Sequence, residues 1–128
     1  MMETHPVLGL IEEFWASRLL NLPTRKFDSS FGIDGLAVWT DERLDLIAVN
    51  AKVHGKGSFR KFVRACKNHW KEIHVWEIWN EFLPDALTRY GFLWTREEFN
   101  GDELEGMVWR LSENTHDQKR HRRKNELL

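Results

Sequence analysis

Residues 44–62 read Leu44-Asp45-Leu46-Ile47-Ala48-Val49-Asn50-Ala51-Lys52-Val53-His54-Gly55-Lys56-Gly57-Ser58-Phe59-Arg60-Lys61-Phe62. The apolar run Leu44–Asn50 suits a strand, Gly55 and Gly57 punctuate a short turn, and an amphipathic helix follows over Ser58–Lys71 with Ser58 as its N-cap. Phe59, Phe62, Val63, Cys66 and Trp70 form the apolar stripe of that helix, while Arg60, Lys61, Arg64, Lys67 and Lys71 occupy the other side. Strand, glycine turn and helix N-terminus in succession bring unpaired backbone N–H groups and the positive end of a helix dipole to one point. Phosphate or pyrophosphate suits such a point. Lys52 and Lys56 add positive charge. The turn is not a nucleotide-binding P-loop, because Gly57 stands where Ser or Thr should follow Lys56 and position 50 is Asn. Arg60 in place of a third glycine excludes the dinucleotide-binding fingerprint.

Upstream, Val7, Leu10, Ile11, Phe14 and Leu22 recur at helical spacing between Pro6 and Pro23, which predicts a helix over residues 6–21. Residues 24–35, rich in Thr, Asp, Ser and Gly, read as loop. Gly35–Thr40 and Leu44–Asn50 then form an antiparallel hairpin through Asp41-Glu42-Arg43. Downstream, the β-branched and aromatic run Ile73–Trp79 reads as a central strand covered on both faces. A short helix fits Leu83–Arg89 with Gly91 ending it, and the strands Phe92–Phe99 and Leu104–Leu111 flank an Asn100-Gly101 hairpin turn. After Ser112 the chain turns polar and charged, so it cannot repay its ordering entropy by burial and reads as a mobile tail. The expected architecture is one α+β domain over residues 1–112, a mixed, mostly antiparallel sheet flanked by helices, with a basic tail over 113–128.

In order and spacing, residues 36–111 resemble the GCN5-related N-acetyltransferase family. Its members place a strand ending in Val about six residues before an Arg-Gly-x-Gly-x-Gly/Ala turn, then a helix, a strand splayed from the previous one, a helix ending in Gly-Phe, and a final strand pair. Here the Val is Val49, the turn is His54-Gly55-Lys56-Gly57-Ser58-Phe59, and the Gly-Phe is Gly91-Phe92. The resemblance implies acetyl-CoA as co-substrate. Its pyrophosphate would lie on the His54–Phe59 turn, its pantetheine in the gap between the splayed strands, and its acetyl carbonyl against backbone amides near Val49. An amine would attack directly. A second register, Lys52-x-x-Gly55-x-Gly57, fits the same motif, so Val49, Lys52, His54, Gly55, Lys56, Gly57 and Ser58 are the candidate cofactor residues. Three positions depart from the pattern: His54 replaces Arg or Gln, Phe59 replaces a small residue, and Leu87 stands where the family's frequent tyrosine, a proton donor to the thiolate, precedes the Gly by four. The shortened N-terminal half and the basic tail also resemble small degenerate phage members of the family. There the domain is a virion-associated, structural or binding module whose tail contacts DNA or a protein partner.

Composition sets the frame for both readings. The chain has 128 residues, 41% of them hydrophobic, including seven Trp, enough for one buried core. Nineteen basic and twenty acidic residues give a formal charge of -1, so no whole-molecule attraction to nucleic acid or lipid is implied. Residues 116–128 carry a net +3 and the body is acidic. The lone Cys66 excludes an internal disulfide, and with no apolar leader or spanning run a cytoplasmic location, in a host or a virion, is expected. Glu77, a carboxylate in an otherwise apolar strand, is the candidate general base, ahead of Asp45 and His74. A paired structural carboxylate is the plainer reading. No two of the six His share i, i+4 spacing, so no metal site is expected. Trp15, Trp70, Trp76 and Trp109 fall at core positions, Trp79 and Trp94 are candidates for a pocket wall, and the helix cations beyond Arg60 and Lys61 read as a solvated face.

Overall fold

The computed structural model describes residues 3–16, 23–52, 57–78, 81–99 and 101–111. Ten elements follow in order: β1 (Glu3–His5), β2 (Gly9–Ala16), β3 (Pro23–Asp28), β4 (Ile33–Trp39), β5 (Arg43–Ala51), α1 (Ser58–His69), β6 (Glu72–Trp76), α2 (Phe82–Arg89), β7 (Leu93–Phe99) and β8 (Asp102–Arg110). The strands make one sheet in the order β1-β2-β3-β4-β5-β6-β8-β7. Every neighbouring pair is antiparallel except β5 and β6, which run parallel through the α1 crossover. The chain is therefore a single α+β domain.

Residues 6–21 do not form the expected helix; the described part turns at Pro6–Leu8 and continues as β2. His5 closes the turn, its Nδ1 accepting the amides of Val7 at 3.0 Å and Leu8 at 3.2 Å. Gly9 at φ 74° then enters a bulge in which Gly9 and Leu10 both oppose Asp28. A bulge adds one residue to the strand, so Leu8 and Ile11, three apart, both reach the core. That spacing imitates a helix. Residues 24–35 likewise contain β3 and the start of β4 rather than a loop alone, joined by a turn in which the Ser29 hydroxyl donates to the Ile33 carbonyl at 2.7 Å. Phe27 is the one large apolar residue of β3, too few to announce a strand. The hairpins β4/β5 and β7/β8 form as expected, the latter with Phe99 opposite Asp102 across Asn100-Gly101.

The main core occupies one face of the sheet. Leu44 and Leu46 of β5, Ile73 and Val75 of β6, and Met107 and Trp109 of β8 meet Phe62, Val63 and Cys66 of α1 and Leu87 of α2. Both described helices thus pack on the same face of the sheet. Burial pushes the Cys66 thiol well up from its usual pKa, which keeps it inert. On the opposite face Ile47 and Trp76 are buried among Leu36, Val38, Ala48 and Leu104. Trp70, Trp76 and Trp109 are core residues as read from the sequence, whereas the side chain of Trp15 lies outside the described residues.

The His5 turn carries a pH signature. Burial, then the nearby His69, lowers the His5 pKa below its ordinary 6.5, so the unfolded chain binds this proton more readily than the folded one. The contribution is complete above about pH 6.5 and is lost as pH falls through that value toward the folded pKa. In His5→Asn, whose side-chain oxygen can accept the same amides, the loss of stability between pH 7 and 5 should flatten in urea titrations. An unchanged slope would mean that His5 does not report the turn.

Candidate functional site

The pairing of β5 with β6 runs from Arg43–Glu72 to Ile47–Trp76 and stops there, although β5 continues to Ala51 against β4. Two residues mark the parting: Ala48 and Glu77 both have φ 53°, and they are the non-glycine positive-φ residues among those described. Left-handed backbone at Ala or Glu costs about 1–2 kcal/mol and persists only where the surroundings impose it. On β5 the cause is a bulge. Ala48 and Val49 together fill the interval between the Ile47–Leu36 and Asn50–Asp34 pairs, opposite the single residue Gly35. A Cβ on Gly35 would sit 3.1 Å from the Ile47 carbonyl and 3.2 Å from Val49 Cα, so glycine is what lets β4 close against the bulge. The bulge also reverses the side-chain alternation: Leu44 and Leu46 face the helices before it, Val49 and Ala51 after it.

Where the strands part, a cleft of about 450 Å³ opens, lined by Ala48 to Ala51 of β5, Phe59 of α1, Glu77, and Leu83 of α2. Small side chains leave the β5 backbone accessible along one wall, with no strand opposite it among the described residues. The start of α1 lies at the same end of the molecule. Gly57 occupies the cap position at φ 70° and Ser58 is the first helical residue, so Ser58 is not the cap the sequence suggested. No side chain caps the helix among the described residues.

Of the sequence-predicted site residues, Val49 and Glu77 line the cleft, and Gly57 and Ser58 begin the helix whose Phe59 does so. Lys52 does not line it; its ammonium lies 2.6 Å from the Asp28 carboxylate. His54, Gly55 and Lys56 lie outside the described residues, and the choice of register with them. Glu77 follows β6, which ends at Trp76 rather than at Trp79, and its half-buried carboxylate makes no ion pair among the described residues. Phe59 turns into the stripe with Phe62 and Val63, its ring centroid 6.0 Å from that of Tyr90, and so does not cover the helix N-terminus. Leu87 is fully buried in the core, and Leu83 is the α2 residue that faces the cleft. Trp94 is 55% exposed on β7 and lines no part of it, while Trp79 lies outside the described residues. Ala48, Asn50, Ala51 and Leu83 were not legible as site residues, since none carries a distinctive chemistry.

The helix-free face of β5 and β6 stiffens the strands below the parting. Arg43 donates to both carboxylate oxygens of Asp45, at 2.9 and 3.0 Å, and to Glu97 at 3.2 Å. The Trp76 indole N–H donates to Asp45 at 2.9 Å. His74, with no exposed surface, lies between Glu72 at 2.5 Å and Glu97 at 3.0 Å, and Arg110 meets Glu72 at 3.3 Å. Asp45 and His74 are therefore structural members of this network and stand on the face away from the cleft. Burial works against the charged form of Glu72, but His74, Arg110 and Arg43 outweigh it and leave its pKa below 4.5. The stabilisation from Glu72 is therefore present above about pH 4.5 and is lost as pH falls below it. In Glu72→Gln, acid unfolding should lose part of its steepness below pH 4.5, at the expense of stability at pH 7. An unaltered acid limb would remove Glu72 from the network's energetics.

Comparison of the chain with protein-family models, curated proteins and solved structures finds no match. The site's reading thus rests on its geometry and on the sequence.

Proposed function

We propose that the cleft between β5 and β6 takes the pantetheine arm of an acyl-CoA, and that the chain is an N-acetyltransferase-like protein moving acetyl from acetyl-CoA to an amine. The observation that carries this reading is the parallel strand pair that parts at Ala48 and Glu77 beside the start of α1, where no described side chain caps the helix. Pantetheine is an extended chain with two amides, and an unpaired β5 edge can bind such a chain as a neighbouring strand would. Pyrophosphate at the α1 N-terminus would meet backbone N–H groups and the favourable end of the dipole. An acetyl carbonyl at the bulge would be polarised by backbone amides near Val49. Glu77 is the ionisable lining residue among those described and the candidate to accept the amine's proton.

A second reading is a binding or structural module of the same shape. It is favoured by the cleft lining: among the described residues, α2 presents Leu83 to the cleft and no group that could give a proton to a leaving thiolate. The basic tail, with a net +3 over residues 116–128, would then contact DNA or a protein partner. No described helix is long and apolar enough to cross a membrane.

Binding of CoA is common to both histories of the fold, so it is tested first. At a hundredfold excess over Kd, CoA should stabilise the chain by about 2.7 kcal/mol, and Gly57→Ile should reduce that increment. No thermal shift at millimolar CoA would remove the cleft's assignment. Turnover then separates the readings: release of CoA thiol with a panel of amines, lost in Glu77→Gln, supports the transferase, and binding without release supports the module.

A further inference from the structure

A second concavity lies on the far side of the Phe59–Tyr90 contact. It is a groove of about 350 Å³ between α1 and the end of α2, with Arg60, Arg64 and Lys67 along one wall, Arg89 on the other, and Val63 and Tyr90 among its lining. Arg60, Arg64 and Lys67 fall at i, i+4 and i+7, one ridge of the helix. The ridge spans about 10 Å at the helical rise of 1.5 Å per residue. Among the described residues, none of the ion pairs involves Arg60, Arg64 or Arg89. The other described arginines are differently placed: Arg25, Arg43, Arg96 and Arg110 each meet a carboxylate. Convergence of like charges in a concave site without counter-charge is costly unless an anion joins them.

We infer that this groove binds a small ligand carrying two or more phosphates in a row. Arginine forks match phosphate oxygens bidentately, and one phosphate can bridge only neighbouring members of a ridge of this length. Lys67 is held in place from beneath: its ammonium donates to the Tyr90 carbonyl and lies 5.1 Å from the Trp109 ring centroid. Burial lowers its pKa, and a phosphate overhead would favour its charged form. The inference does not depend on the acyl-CoA reading, because neither the cleft nor a thioester enters it.

The test is calorimetric titration of the full chain at low salt with inorganic tripolyphosphate, which has no pantetheine or acyl group, and with ATP. One equivalent of tripolyphosphate should bind, and the double variant Arg60→Gln/Arg64→Gln should weaken it tenfold or more. Both residues are exposed on α1, so the variant should keep its unfolding midpoint, measured in parallel. Equal affinity for ATP identifies the phosphates as the part recognised, and tighter ATP binding adds a nucleoside against Tyr90. Absence of binding overturns the inference, as does an affinity the double variant leaves within twofold, which would place the anion on the basic tail.

Discussion

Trp76→Ala should destabilise the chain by about 3–5 kcal/mol, among the largest effects of any single truncation, and lower its midpoint by roughly 10–20 °C. The indole is fully buried at the last residue pair before β5 and β6 part, stacked on His74 with ring centroids 5.4 Å apart. It lies across the strand position that β8 leaves empty: a Cβ on Gly106, its partner in register, would come within 2.5 Å of the indole ring. Removing the ring leaves a cavity that β8 has no side chain to fill. Trp76→Phe separates the two contributions, since it keeps most of the apolar volume and loses the N–H bond to Asp45. It should cost about 1.5–3 kcal/mol, the range for a bond to a charged acceptor. Chemical denaturation of the two variants checks both numbers. A loss below about 1 kcal/mol in Trp76→Ala would mean that the helix-free face is not a packed core.

Gly9→Ala should destabilise by about 2–4 kcal/mol, from an L-residue at positive φ and a backbone that must move to admit a Cβ. That Cβ would overlap the Asp28 carbonyl and lie 2.8 Å from Ser29 Cα. The sign of this change decides between two structures for the same residues. In the helix that the spacing of Val7, Leu10 and Ile11 suggests, replacing an interior glycine by alanine would stabilise by about 1 kcal/mol. A raised denaturation midpoint in Gly9→Ala would contradict the β1–β2 hairpin, and a lowered one fits it.

What could be read from the sequence follows the same physics. α1, α2 and the last hairpin were legible because each is decided locally, by a face of apolar residues, by Pro84 and Gly91, or by Asn-Gly. The α+β class was legible from their order. The N-terminal strands were not, because a bulge at Gly9–Leu10 converts a period of two into an apparent spacing of three, and β3 holds a single large apolar side chain. Of the residues singled out from the sequence, Val49 and Glu77 line one cleft together with Phe59 at the start of α1. The family resemblance implied a splayed strand pair, but where it parts was not legible, since nothing in the identity of Ala48 or Glu77 announces a left-handed backbone. The cations of α1 were read as solvated beyond Arg60 and Lys61. Arg64 is indeed exposed, and it also borders a groove with Arg60 and Lys67 because Arg89 arrives from α2, a neighbour that a helical wheel cannot foresee.

Backbone amide shifts on titration with CoA report whether the edge of β5 beyond Ile47 binds a ligand. Saturable shifts are expected at Ala48 to Ala51, at Glu77 and Leu83, and at Gly57 and Ser58, with the amides of Arg43 to Ile47 moving little, since β6 already pairs with that part of β5. Shifts confined to the α1–α2 groove or the tail, with residues 48–51 unmoved at saturation, would contradict a ligand-binding edge there.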